Sequence, residues 1–175
     1  MFPLLRSLSL YIHTAGAKEI IGSLKTLPHL TQLSLVGGGN TKPFNDGLET
    51  HDQIMKAAVG ELTNQLKKLV VSSTHVTNEG MAWVFHTCPN LVEFVDRCST
   101  LDIEQLVADL ELVLDERHSN NEISTLANDQ FQLIIYMNQD RKKSGDIITS
   151  KHPYVKTIWR HNEISWLYAL EDKSF

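Results

Sequence analysis

Short apolar triplets recur along this chain at a nearly fixed step, and that step constrains the fold more than any other feature. Leu5, Leu8 and Leu10 form the first triplet, Leu30, Leu33 and Leu35 the second, Leu66, Leu69 and Val71 the third, and Leu91 with Phe94 begins the fourth. The step from Leu5 to Leu30 equals that from Leu66 to Leu91, and the step between these, from Leu30 to Leu66, is longer. Apolar residues at positions one, four and six do not fall on one face of a helix. They fit a short strand in which the fourth and sixth residues share one face and the first closes the approach to it. Between triplets the period changes to that of a helix. Ile20, Ile21, Leu24 and Leu27 follow the first. Ile54, Ala57, Ala58 and Leu62 follow the second, with Glu61 the one polar member; Met81, Val84 and Phe85 follow the third. Ile103, Leu106, Val107, Leu110 and Val113 follow the fourth and form the cleanest amphipathic face in the chain.

A strand and a helix repeated in this way form a unit with an apolar edge that only the neighbouring units can cover, so the units must stack. The longer middle step implies an insertion, and residues 37–50, GGGNTKPFNDGLET, have the Gly, Asn and Pro content of an extended loop. Helix starts are marked by a capping box at Thr50-His51-Asp52-Gln53, by Thr77 as an N-cap, and by a second box from Asp102 to Gln105. After Arg117 the pattern weakens. HSNNEISTLAND reads as a polar connection and FQLIIYM, residues 131–137, as a strand in the register Gln130, Leu133, Ile135, Asn138. QDRKKSGD is a charged turn. Val155 to Ile158 reads as a last strand with Val155 equivalent to Gln130, one regular step earlier, and Ile164, Leu167 and Tyr168 as a terminal helix.

Composition sets outer limits. The chain has 175 residues, 42% hydrophobic and 21% charged, a globular composition for a single domain. A net charge of −5 argues against a nucleic-acid-binding or anionic-membrane-binding surface over the whole molecule. No apolar run reaches the roughly 18 residues of a membrane span, and MFPLLRSLSLYI lacks the basic lead and cleavage site of a signal peptide. Cys88 and Cys98 fit free thiols in a reducing compartment. The expectation is an intracellular protein, cytoplasmic or nuclear.

Two motifs within residues 65–100 carry a resemblance. Val76-Thr77-Asn78-Glu79-Gly80-Met81 opens a helix, and Cys88-Pro89-Asn90-Leu91 closes it and starts the next strand. Both resemble the leucine-rich repeat, in particular the cysteine-containing type of F-box/leucine-rich-repeat proteins. The resemblance covers roughly residues 1–115. It implies an α/β leucine-rich repeat solenoid with parallel strands on the concave side and helices on the convex side. It also implies Cys88 and Cys98 as small buried residues at repeat boundaries. On this reading residues 1–175 are one repeat domain, clear over 1–115 and degenerate or capping over 116–175. No capping segment precedes Leu5, so the chain reads as a fragment of a longer protein or as one whose open N-terminal end meets another domain. The implied function is non-catalytic protein binding, as the substrate-recognition repeats of a cullin-type ubiquitin ligase. An adaptor role of that kind needs an F-box outside this chain. The alternative is the sensor or autoinhibitory repeat region of a nucleotide-binding innate-immune-type receptor.

Enzymatic and metal chemistry find little support. His86 and Cys88 with Cys98 lack the paired spacing of a closed zinc site. Gly37-Gly38-Gly39-Asn40 matches neither a P-loop nor a dinucleotide fingerprint. Cys88 or Cys98 with His75 or His86 has no accompanying signature of a nucleophilic site. No cofactor, metal or catalytic residue is expected. The expected site is the concave face, where the residues between the buried ones point away from the core. Its members are Arg6, Tyr11, Gln32, Lys67, Lys68, Val70, Glu93, Val95 and Arg97. Four of these are basic against one acid, so the expected partner is a protein with an acidic or phosphorylated segment. The rival surface is the loop 37–50, with Phe44.

Overall fold

The structure is a computed structural model that describes residues 4–12, 17–37, 50–72, 74–97, 101–119, 131–137 and 155–159. Among the described residues six strands form one sheet in chain order: Ser7–Tyr11 (β1), Gln32–Val36 (β2), Lys68–Ser72 (β3), Glu93–Arg97 (β4), Gln132–Met137 (β5) and Val155–Trp159 (β6). Every neighbouring pair is parallel. Parallel neighbours require a crossover, and the described crossovers hold helices Ala17–Ser23 (α1), His51–Gly60 (α2), Asn78–Thr87 (α3) and Ile103–Ser119 (α4), each of the first three packing on the next. This is an α/β architecture with an all-parallel sheet.

The triplets set the register. Leu8 lies opposite Leu33, Leu33 opposite Leu69, Leu69 opposite Phe94, and Phe94 opposite Leu133. Leu33, Leu35, Leu69, Val71, Phe94, Leu133 and Ile135 are almost fully buried and join the inward residues of all four helices in one core. Leu30, Leu66 and Leu91 occupy equivalent positions and are 0% exposed. Leu5, the fourth member of that set, is only half-buried. Among the described residues β1 has a strand neighbour on one side only, so its layer lacks the cover that every inner layer receives. Phe85 on α3 meets Phe94 edge-on at 5.8 Å and Phe131 at 6.2 Å, which closes the fourth layer with aromatic contacts.

Three details of the later elements differ from the sequence reading. β5 follows the expected register at Leu133 and Ile135, but the buried residue that leads into it is Phe131, the one after Gln130. Val155 pairs with Leu133, and so stands at the fourth position of the pattern rather than the first. α4 runs on to Ser119, into the stretch read as a connection. Residues 38–49 with Phe44, Cys98, residues 120–130, the charged turn 139–146 and the expected terminal helix around Ile164 lie outside the described residues.

The helix starts fold as their side chains dictate, and they also tie each unit to the next. Thr50 and Gln53 form a reciprocal capping box, at 3.2 Å and 2.8 Å. Thr77 Oγ1 accepts from the Gly80 amide at 3.1 Å. Asp102 Oδ1 accepts from the Glu104 and Gln105 amides. It forms no reciprocal box, because the Asn78 side chain already accepts the Asp102 amide at 3.0 Å while donating to its carbonyl at 2.7 Å. Gln105 turns instead to Asp109. One unit earlier, Asp52 accepts both the amide and the hydroxyl of Thr77. His51 Nδ1 accepts the His75 amide at 2.7 Å, its ring stacked on that of His75. The first turn of α2 thus grips the approach to α3, and the first turn of α3 grips the approach to α4.

This geometry explains Gly80. A Cβ there would meet the Asp52 carboxylate at 2.5 Å. Gly80→Ala is therefore expected to lower stability by about 1–2 kcal/mol, despite better helix propensity, because Asp52 must leave Thr77. Gly22→Ala, with nothing within 4 Å, is expected to be neutral or stabilising by up to about 1 kcal/mol. Thermal unfolding of the two variants checks the contrast. Leu69→Ala, at a site 0% exposed, is expected to cost about 2–5 kcal/mol in chemical denaturation, and Leu5→Ala less than half as much as Leu69→Ala.

Candidate functional site

The face of the sheet opposite the helices carries most of the residues expected to bind. Strand alternation places Gln32, Lys68 and Glu93 in one row across β2 to β4, Ser34, Val70 and Val95 in the next, and Tyr11, Val36, Ser72 and Arg97 in the third, the last beginning on β1. The rows are straight because each strand begins at the same point of its unit. Main-chain bonds hold that point. Arg6 O accepts the amides of Thr31 and Gln32, Thr31 O those of Lys67 and Lys68, and Lys67 O those of Val92 and Glu93. One carbonyl per unit thus takes two amides of the next.

Charge on this face differs from the sequence expectation. Lys68 and Glu93 are direct cross-strand partners and form an ion pair at 3.0 Å. Both are about one-third exposed, so the pair contributes at most about 1 kcal/mol. Its larger effect is to remove Lys68 from the basic count. Arg6 and Lys67 are exposed, and each sits on a rung residue just ahead of its strand. They are two strands apart, roughly 10 Å by strand spacing. Arg97 and Gln32 are half-buried, and Tyr11 is 53% exposed. The structure thus moves the available positive charge from the centre of the face to the edge where the strands begin.

Val95 is 3% exposed and offers almost no surface to a partner. It lies outside the main core and between two apolar neighbours, Val70 on β3 and Ile134 on β5, both half-buried. Val70 and Ile134 are the apolar atoms a partner would meet. Ile134 escaped the sequence reading. Its signal was its place between the inward Leu133 and Ile135.

Two buried polar residues were also missed. Asp96 is 4% exposed and stands where the neighbouring strands have Val71 and Ile135. The signal was an acid at the sixth position of the fourth triplet. Thr74, in the approach to α3, is 2% exposed and its hydroxyl has no hydrogen-bond partner among the described residues.

The residues weighed for metal or nucleophilic chemistry are dispersed. Cys88 is fully buried in the core, His86 is exposed and 3.6 Å from Glu116 on α4, and His75 stacks on His51. Among the described residues no group of three or more His, Cys, Asp or Glu converges on a point. No described helix is long and apolar enough to cross a membrane. No protein-family model matches the chain, and no curated protein matches its sequence at a significant level. The functional reading therefore rests on the residues and their geometry.

The orphaned hydroxyl gives a direct check. Thr74→Val keeps the shape and removes a buried donor that costs about 1–3 kcal/mol when unbonded. The variant is expected to be more stable by about 1 kcal/mol in urea denaturation; a loss would show that the hydroxyl is bonded in solution.

Proposed function

We propose that this chain is a leucine-rich-repeat module that binds another protein through the open face of its sheet, within the cell, and carries no catalytic centre of its own. The observation that carries the reading is the register. Equivalent residues of successive units stand side by side on a rigid support, which suits the recognition of an extended partner surface. Strand order equal to chain order, inward leucines recurring at equal steps on either side of one insertion, and a buried Cys88 at the boundary of two units support the repeat class. Within that class, the VTNEGM and CPNL motifs favour the cysteine-containing repeats of F-box proteins, and hence the substrate-holding part of a cullin-type ubiquitin ligase.

The partner we infer has an acidic or phosphorylated segment beside an apolar residue. Arg6 and Lys67 supply charge-assisted donors at the strand starts, and Val70 and Ile134 supply the apolar contact. Selection of a displayed peptide library on the purified chain tests this. Enriched peptides are expected to be acidic, with binding that weakens as salt rises. The double variant Arg6→Glu/Lys67→Glu is expected to bind them at least about tenfold more weakly, with unchanged circular dichroism. Enrichment of neutral or basic peptides, or binding indifferent to the double variant, would overturn the assignment.

A further inference from the structure

We propose that Glu93 is a specificity-determining residue of the open face, one that favours acidic partner segments in which a basic residue lies beside the acids. The inference rests on the reading above that such a segment docks on this face. Among the described residues Glu93 is the one acid whose side chain shares the face, since Asp96 on the same strand is turned to the helix side and buried. Glu93 accepts from Lys68 Nζ at 3.0 Å, and neither side chain has another partner among the described residues.

A charge count shows what an acidic segment meets here. At the start of β3 stand two cations, Lys67, which is exposed, and Lys68. Glu93 already takes one of them. A single carboxylate is balanced by Lys67. A segment that brings two acids, or one phosphate with a charge of about −2, engages both lysines and leaves Glu93 without its counter-ion. The incoming anion then lies about one strand from Glu93, roughly 5 Å and inside the Debye length of about 10 Å at 0.1 M salt. Docking also strips water from a carboxylate that is already only 27% exposed. Like charges brought together in this way cost affinity unless a cation answers them. The other described cations of the face are distant. Arg97 stands four residues along the same strand, roughly 13 Å away, and Arg6 three strands away, roughly 14 Å. The answering cation therefore comes from the partner.

Register places that cation. Lys67 and Lys68 lead β3, Glu93 lies opposite Lys68 on β4, and Ile134, an apolar contact of the face, lies on β5. Strands are about 4.8 Å apart, and an extended segment advances about 3.3 Å per residue. The base thus falls one or two residues from the acids, on the side of the apolar residue. Read from β3 to β5, the order in the partner is acid, base, apolar.

Selection of a displayed peptide library on the parent chain, on Glu93→Gln and on Glu93→Lys tests the proposal. The parent is expected to return acidic peptides with Lys or Arg one or two residues from the acids, between them and an apolar residue. Exchange of that base for Ala is expected to weaken binding to the parent about fivefold and to Glu93→Gln less than about twofold, with circular dichroism unchanged. Exchange of the base for Glu is expected to favour Glu93→Lys over the parent. The Gln variant, isosteric and uncharged, decides the matter if the Lys variant does not fold. Acidic peptides without a base, a base equally frequent on either side of the acids, or an Ala exchange felt equally by the parent and Glu93→Gln would overturn the inference and leave the acidic reading standing. Selection of neutral or basic peptides would overturn both.

Discussion

Each layer of this molecule hides its leucines against the adjoining layers and has no other cover for them. Leu33 depends on Leu8 on one side and Leu69 on the other, and the same holds along the sheet to Leu133. The strand register, the placement of helices on one face and the exposure of the opposite face all follow from that dependence. The half-buried Leu5 and Leu8 show the rule at its limit: a layer with one neighbour is covered on one side.

A polar system runs beside the apolar one and does different work. Burial excludes a slip of one residue, which would turn the leucines outward, but a slip of two residues would keep every leucine on its face. The double-acceptor carbonyls of Arg6, Thr31 and Lys67 and the side-chain grips of Asp52 on Thr77 and Asn78 on Asp102 do not tolerate one. Hydrophobic contact makes the layers adhere, and these bonds fix where they adhere. The side-chain bonds at the helix starts also explain why VTNEGM reads so clearly. Thr77 caps and is held, Asn78 reaches forward, and Gly80 makes room for Asp52.

How much of this is legible in the sequence depends on whether a feature repeats. The inward leucines repeat, so their equivalence at Leu30, Leu66 and Leu91 can be read from spacing alone. The Lys68–Glu93 pair was readable in the same way, since the two residues are one regular step apart; counting Lys68 as a free cation overlooked its cross-strand neighbour. Val155 was placed at the first position because Val155 and Ile158 match the spacing of the first and fourth positions and Val155 lies one regular step beyond Gln130; the strand pairing puts Val155 itself at the fourth. Asp96 and Thr74 were illegible for another reason. Each breaks the pattern at one position, and their burial is set by neighbours distant in sequence. The rows Gln32–Lys68–Glu93 and Ser34–Val70–Val95 follow from the spacing, whereas the burial of Val95 and the exposure of Ile134 beside it depend on which strands flank them.

The rung carbonyls leave their own side chains out of the fold. Arg6, Thr31, Lys67 and Val92 hold the same station in four successive units, yet one is a guanidinium, one a hydroxyl, one an amine and one an aliphatic group. The backbone meets the architectural demand at this station whatever projects from the Cα atom. Such a column is where side chains can be exchanged by single substitutions at little structural cost. Descendants of one scaffold could thus diverge in what they bind while keeping the same frame.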